Sequence, residues 1–328
     1  MPTHSLQQGA NALTKIATFL TVLATVLVSL LPAAPAQAQR DRVFVASYGS
    51  DSNPCTFGSP CKTFQNAINV AAQGGEVTAI DSAGFGTFTI EHSITITSPN
   101  GVEAGIATPA NGTAITINAG PQDVIHLSGL TLDGAGASGT GGIVFNSGGT
   151  LRIQNSVIRN FANQGIQFQP TGSSQLFVSN TLISDNGNVG FALEPFGSSL
   201  PVAAVLDHVA IENNRNHGLY VYTVNPAINV TVNDSVVANN GGDGIRSFSL
   251  QGPISTMVRN TIIANNSGNG LTAAGSNGAA TWVARSTITG NGTGWLAPGG
   301  QGTVTSFGDN SIFGNAAGNT APPSIGYE

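Results

Sequence analysis

Seven polar anchors recur along the chain at almost even spacing, each closing a short apolar run. They are Asn155, Asn180, Asp207, Asp234, Asn260, Arg285 and Asn310, separated by 25, 27, 27, 26, 25 and 25 residues. A second marker keeps the same beat: Gly142-Ile143, Gly165-Ile166, Gly190-Phe191, Gly218-Leu219, Gly244-Ile245 and Gly270-Leu271. Two independent markers in phase define a structural repeat, and such a repeat decides the architecture before any local reading does.

Within one period the pattern reads as strands. Leu151-Arg-Ile153, Leu176-Phe-Val178 and Val230-Thr-Val232 alternate apolar with other residues, as half-buried strands do. After the anchor comes a second apolar pair, for example Val157-Ile158, Leu182-Ile183, Val236-Val237 or Ile262-Ile263. Asn-rich turns follow at Asn160, Asp185-Asn186, Asn213-Asn214, Asn239-Asn240 and Asn265-Asn266, where Asn and Gly tolerate the positive φ of tight corners. The Gly-Ile marker then opens a third strand. Three short strands per period, with no helix-period segment between them, specify a coil rather than a βαβ unit. Stacked coils place equivalent residues about 4.8 Å apart, like neighbouring strands of a parallel sheet. Each coil buries its apolar face only against its neighbours, so the core runs along the axis.

This pattern resembles the right-handed parallel β-helix superfamily, the pectin-lyase-like fold, over roughly residues 77–320. The Asn-containing turn after the second strand is similar to the stacked Asn ladder of that superfamily. The right hand is implied by the resemblance and by the rule for parallel crossovers. The expected fold is therefore an all-β, right-handed parallel β-helix solenoid with three short strands per coil. Residues 321–328 are left as a C-terminal tail.

The N-terminal residues read differently. Lys15 is the only charge before an apolar stretch from Ile16 to Leu31, and Ala36-Gln37-Ala38 fits a small-x-small cleavage site. Residues 1–38 are thus expected to be a secretory signal, with cleavage before Gln39. The other reading, a membrane anchor, is opposed by the interrupting Thr18, Thr21, Thr25 and Ser29 and by Pro32 and Pro35. No later stretch approaches the ~20 apolar residues needed to span a bilayer. The mature protein is expected to be soluble and secreted, periplasmic or at the cell surface, with its charge moving from −6 to −7 as Lys15 leaves.

Residues 39–76 read as an N-terminal cap. Cys55 and Cys61 are expected to form a disulfide in an exported protein, worth about 2 kcal/mol for so small a loop. Metal binding by this pair is not expected, because no second Cys pair exists and no His lies nearby. Lys62 to Ala72 reads as one amphipathic helix with Phe64, Ala67, Ile68 and Ala71 on one face, ending at Gly74-Gly75. Such a helix covers the open end of a sheet stack. Charged residues are 8% of the chain, and the mature chain's nine Lys and Arg are scattered singly, which excludes a basic nucleic-acid surface.

Aligning coils by their anchors sorts side chains into columns. Asp207 and Asp234 fall in the anchor column of adjacent coils, where stacked carboxylates about 5 Å apart would raise one pKa. With His208 they form the candidate catalytic set, suited to acid–base chemistry or to calcium; Glu212 and His217 belong to the same coil. The other reading is a polar ladder, since Asn155, Asn180 and Asn260 fill that column without charge. On the strand after Gly-Ile, alternation points Ile166 and Phe168 inward and Gln167 and Gln169 outward. The same parity exposes Ala192 and Glu194, Tyr220 and Tyr222, Arg246 and Phe248. Tyrosines flanked by Gln, Glu and Arg on a sheet face suit sugar binding. A third column, Arg152, Phe177, Ala204, Thr231, Met257 and Trp282, is mostly apolar and suits coverage by a loop or a partner.

Catalytic motifs of the resembled superfamily are not matched. The polygalacturonase-like set needs Asn-x-Asp, Asp-Asp, Gly-His-Gly and Arg-x-Lys; here only Asn216-His217-Gly218 is near, and no Lys follows Lys62. Pectate-lyase-like enzymes join a calcium-binding carboxylate cluster to a basic residue, and near Asp207 and Asp234 only Arg215 and Arg246 qualify, on other faces. The sequence favours a non-catalytic, polysaccharide-binding or structural solenoid, with a polysaccharide lyase or glycoside hydrolase as the alternative. A glycan is the expected partner, no cofactor other than calcium is indicated, and oligomeric state is open.

Overall fold

The structure is a computed structural model that describes residues 40–135, 139–197 and 200–326. The leader expected over residues 1–38 lies outside them. Short alternating segments separated by tight corners have one way to bury their apolar side chains, which is to stack coil on coil. Every ladder between strands of the two sheets is parallel, as in Leu151↔Leu176 and Val178↔Leu206. Among the described residues the strands form one sheet of nineteen and a second of nine.

One coil shows the plan. Thr150–Gln154 and Val157–Arg159 lie in the first sheet, and Ile166–Phe168 lies in the second. In the next two coils the first two segments run together as Ser174–Ser184 and Val202–Glu212. The expected three strands per coil therefore resolve into two sheets, the first bent at a single residue. That residue has φ of 51° at Asn155, 46° at Asn180, 55° at His208, 48° at Asp234, 50° at Asn260 and 50° at Arg285. A second left-handed column follows at Asn160, Asp185, Asn213, Asn239, Asn265, Gly290 and Gly314. Asn, Asp and Gly dominate both because they adopt this region at little cost.

Inside the second left-handed corner runs a ladder of buried amides. The Asn214 backbone N–H and Nδ2 both donate to Asn240 Oδ1, at 3.1 and 3.0 Å. Asn240 repeats this toward Asn266 at 3.1 and 2.9 Å, and its Nδ2 also donates to the Ile211 carbonyl at 3.1 Å. The series runs from Asn186 through Asn214, Asn240, Asn266 and Asn291 to Asn315. The first five are 1% exposed, and the side-chain amide of each both donates to and accepts from protein groups. The glycine marker exists because of this ladder. A Cβ on Gly218 would lie 2.8 Å from Asn240 Nδ2 and 2.6 Å from Val237 Cγ1, and one on Gly244 would meet Asn266 and Ile263 as closely.

A hydroxyl ladder secures the first corner. Ser156, Thr181, Ser235, Thr261 and Ser286 each donate to the carbonyl two residues earlier, at 2.6–2.8 Å. Ser156, Ser235 and Ser286 also accept the N–H of Leu130, Val209 and Thr261. The core between the sheets is aliphatic and aromatic. Ile115, Ile143, Ile166, Phe191, Leu219, Ile245 and Leu271 form one inward column, all at most 1% exposed.

The helix spans Phe64–Val70, with Thr63 as N-cap accepting from Asn66 N–H at 3.2 Å. It buries Phe64, Ala67 and Ile68. It ends at Ala71, short of the expected Gly74-Gly75, because Ala71–Ala79 becomes a strand paired with Arg40–Val45. Among the described residues the parallel stack thus already includes Arg40–Val45, inside the segment read as a cap. The Cys55–Cys61 disulfide joins the loop before the helix. At the other end, Asn319 Oδ1 closes the amide ladder by accepting from Asn315. Among the described residues no helix is long and apolar enough to cross a membrane.

Candidate functional site

The first candidate lies at the first left-handed corner. Asp207 pairs in register with Ser179 and Asn233, whereas His208 is the residue with positive φ. The anchor column is therefore Asn155, Asn180, His208, Asp234, Asn260 and Arg285, and Asp207 stands one residue before it. Matching Asp207 to Asn180 by side-chain chemistry misplaced it. The step from Asn180 to His208 is 28 residues rather than 25. The extra length sits in the loop between Leu193 and Val202, compared with that between Phe168 and Ser174.

The two carboxylates are consequently not stacked on each other. Asn233 Nδ2 stands between them, donating to Asp207 Oδ1 at 2.8 Å and to Asp234 Oδ2 at 2.6 Å. Asn260 Nδ2 donates to the other oxygen of Asp234, and Asp207 Oδ2 lies 3.0 Å from His208 Nδ1. The Asn233 amide and then His208 hold the Asp207 carboxyl below its usual range. For Asp207 this is opposite in sign to the upward shift that like-charge repulsion would give. Asp207, His208 and Asp234 offer ligand atoms within 4.8 Å of one another, and of these a calcium ion would use the carboxylate oxygens of Asp207 and Asp234. Their side chains lie open at the surface, His208 58% exposed and Asp207 41%, and amides already occupy three of the four carboxylate oxygens.

The second candidate is the outward face of the second sheet. Tyr220 pairs with Ala192 and Arg246, and Tyr222 with Phe248, while Leu219 and Val221 point into the core. The expected parity holds, and the tyrosines are half-buried rather than fully exposed. Ala192 is buried despite its outward position, because its one-carbon side chain sits below its larger neighbours. Four rings make a continuous run, in which Tyr220, Tyr222 and Phe248 are near-parallel and His217 is tilted by 33° to Tyr220. His217 to Tyr220 is 5.6 Å between centroids, Tyr220 to Tyr222 6.0 Å and Tyr222 to Phe248 6.2 Å. The Arg246 guanidinium lies 5.6 Å from the Phe248 ring centre.

Carboxamides continue this face toward the N-terminal coils. Gln167 Nε2 donates to Gln169 Oε1 at 3.0 Å, Gln169 Nε2 to Asn146 Oδ1 at 2.7 Å, and Asn146 Nδ2 to Asn118 Oδ1 at 2.8 Å. Beside Gln167 is a depression of about 110 Å³ lined by Thr113, Thr140, Val144, Asn163 and Gln164. Burial pushes the Glu194 carboxyl up, opposed by a hydrogen bond from Gln167. Burial, and then the Glu194 charge, also push the Tyr220 phenol up.

His217 and Asp243 were not singled out for this face by the sequence, although each immediately precedes a marker glycine. Asp243 N–H donates to His217 Nδ1 at 2.9 Å, and Asn269 N–H donates to Asp243 Oδ1 at 2.8 Å. An Nδ1 that accepts belongs to a neutral ring with its proton on Nε2. Burial, the largest cause, lowers the His217 pKa in the same sense, against the pull of Asp243. Asp243 is paired with Arg246 at 3.1 Å.

The third column is corrected in the same coil as the first. Val205, not Ala204, is the outward residue between Phe177 and Thr231, and Ala204 is buried. Arg152 covers the Phe177 ring at 4.3 Å.

The sequence matches the family described as the right-handed beta helix region over residues 62–254 and 113–292. Among solved structures, pectate lyase Pel9A superposes with a TM-score of 0.66 at 15% identity, over 88% of this chain and 79% of that one. A polygalacturonase from Erwinia carotovora ssp. carotovora gives 0.53 at 13%, over 88% and 96%. ORF18 of Geobacillus virus E2 gives 0.52 at 13%, over 80% and 60%. No curated protein matches the chain in sequence. At these identities the likeness is one of fold.

The raised Glu194 pKa fixes the sign of a pH effect. A carboxyl that binds its proton more tightly folded than unfolded stabilises below its ordinary value of 4.5, and that contribution is lost as pH rises through the folded value. Glu194→Gln should therefore raise the melting temperature at pH 7, by a margin that shrinks on acidification below that value. An equal or lower melting temperature for the variant at pH 7 would show that Glu194 is not penalised by burial.

Proposed function

The chain belongs to the right-handed β-helix family, and from that fold we propose that the outward face of its second sheet binds a polysaccharide without cleaving it. The near-parallel rings Tyr220, Tyr222 and Phe248, with the tilted His217 ring beside them, carry this reading. Tyrosine rings fixed on a parallel sheet offer broad apolar contact at low entropic cost, with hydroxyls left to hydrogen-bond. Such rings suit the C–H faces of pyranose sugars. Gln167, Gln169, Glu194 and Arg246 flank them with donors and acceptors. Two fold neighbours, a pectate lyase and a polygalacturonase, are named for polysaccharide chemistry, which supports a glycan as the partner class.

A polysaccharide lyase or glycoside hydrolase is the second reading, and one observation favours it. Burial displaces Glu194 upward beside a tyrosine, as happens to acid–base groups in catalytic sites. A hydrolase needs a second carboxyl across the scissile bond. On this face Asp243 is already committed to Arg246 and Asn269. Release of reducing or unsaturated sugar ends from a bound glycan would decide for this reading.

Export belongs to the same proposal, supported by the leader-like residues 1–38 and by the disulfide. Its expected outcome is an N-terminus at Gln39 in protein recovered outside the cytoplasm; an intact Met1 there would remove it.

Replacing both Tyr220 and Tyr222 with Ala should weaken glycan binding by at least ~1 kcal/mol, about fivefold in Kd. The far-UV circular dichroism spectrum should be unchanged, since the core columns on either side are untouched. Unchanged affinity for a glycan that the parent holds would sink the site.

A further inference from the structure

We propose that this face selects an uncharged polysaccharide, lying across the coils, over a uronate polymer. The inference rests on the binding reading above and names its ligand class.

The first argument is the type of hydrogen-bonding group. Asn118, Asn146, Gln169 and Gln167 form a connected row of carboxamides. A carboxamide offers two donors and an acceptor, which complements hydroxyls that both donate and accept. An ionised uronate only accepts, and its preferred partners are guanidinium and ammonium groups. The described face supplies one such group among the rings, Arg246. That guanidinium is already paired with Asp243, whose side chain is 7% exposed, and it leans toward Phe248. Drawing it away would leave a buried carboxylate uncompensated, which costs more than a surface contact returns.

The second argument is the sign of the local charge. Asp243 and Arg246 neutralise each other, which leaves Glu194 as the unbalanced acidic group of the face. Glu194 directly follows the strand Phe191–Leu193, which pairs with the strand of Tyr220 and Tyr222, and it is already penalised by burial. A uronate laid over the tyrosines would bring a second negative charge into that setting, the repulsive element that specificity requires. The whole chain adds to the effect, with 16 acidic and 10 basic residues. A calcium bridge is not built here either. Asp207, His208 and Asp234, which offer ligand atoms to a cation, belong to the corner of the first sheet rather than to this face.

The third argument gives the direction. Gln167, Ala192, Tyr220 and Arg246 follow one another in register on four consecutive strands. Three inter-strand steps of about 4.8 Å span about 14 Å along the axis, room for two or three sugar rings. The depression beside Gln167 lies at the N-terminal end of that track.

The test is affinity electrophoresis of the full exported chain at pH 7. One set of gels carries neutral polysaccharides (glucans, galactomannan and xylan). A second set carries polygalacturonate or alginate, with and without calcium. Tyr220→Ala/Tyr222→Ala runs beside the parent in every gel. The expected result is retardation by at least one neutral polymer, lost in the tyrosine variant, unchanged by 0.5 M salt and about tenfold stronger than any uronate effect. Tyrosine-dependent retardation by uronates equal to or greater than by neutral polymers would overturn the ligand class while leaving the binding face intact. Absence of tyrosine-dependent retardation in every gel would overturn both.

Discussion

The buried amide ladder is the constraint from which the rest of the solenoid follows. Each of Asn214, Asn240, Asn266 and Asn291 accepts two hydrogen bonds from the coil before and donates to the coil after. In an interior shielded from water an unpaired amide costs ~1–3 kcal/mol. A coil that slipped by one residue would orphan several at once. Register is therefore fixed at one corner of the section, and the glycines before Ile245 and Leu271 are small because that corner has no space for a Cβ. Variation in length is pushed elsewhere, into loops such as the one between Leu193 and Val202.

Fixed register is also what makes a face. Sheet alternation puts Leu219 and Val221 inward and Tyr220 and Tyr222 outward, and the next coil adds Arg246 and Phe248 beside them. No loop has to close and no helix has to move to assemble these rings. The backbone ladders leading into the strand place His217 and Asp243 in the same way, through main-chain N–H groups of the following coil. A surface of this kind is preorganised, so little of its binding energy is spent on ordering side chains.

The repeat was legible because its two markers are physical requirements: left-handed backbone at one corner and absence of Cβ at the next. The outward tyrosines were legible because the period of two leaves no other choice once Leu219 is inward. Asp207 was not, since the anchor column selects a backbone conformation and not a polar side chain. His208 adopts it at φ 55° in a coil three residues longer than the one before. The same slip exchanged Ala204 for Val205. The helix end was missed because pairing of Ala71–Ala79 with Arg40–Val45 overrides the local glycine signal. Asp243 and His217 were hidden for a different reason: the bonds that place them on this face come from backbone N–H groups a whole coil away, Asn269 for Asp243 and Asp243 for His217.

The most direct test of the ladder's role compares two adjacent asparagines by thermal and denaturant unfolding. Asn239 holds the left-handed corner at φ 57° with its side chain exposed, and Asn240 holds the ladder at 1% exposure. Asn239→Gly should change stability by less than ~1 kcal/mol, because glycine adopts that backbone freely. Asn240→Ala should cost ~3 kcal/mol or more, because it strands the Asn214 amide groups and the Ile211 carbonyl. Equal, small losses from the two substitutions would contradict the account, since register would then be held by the apolar core alone.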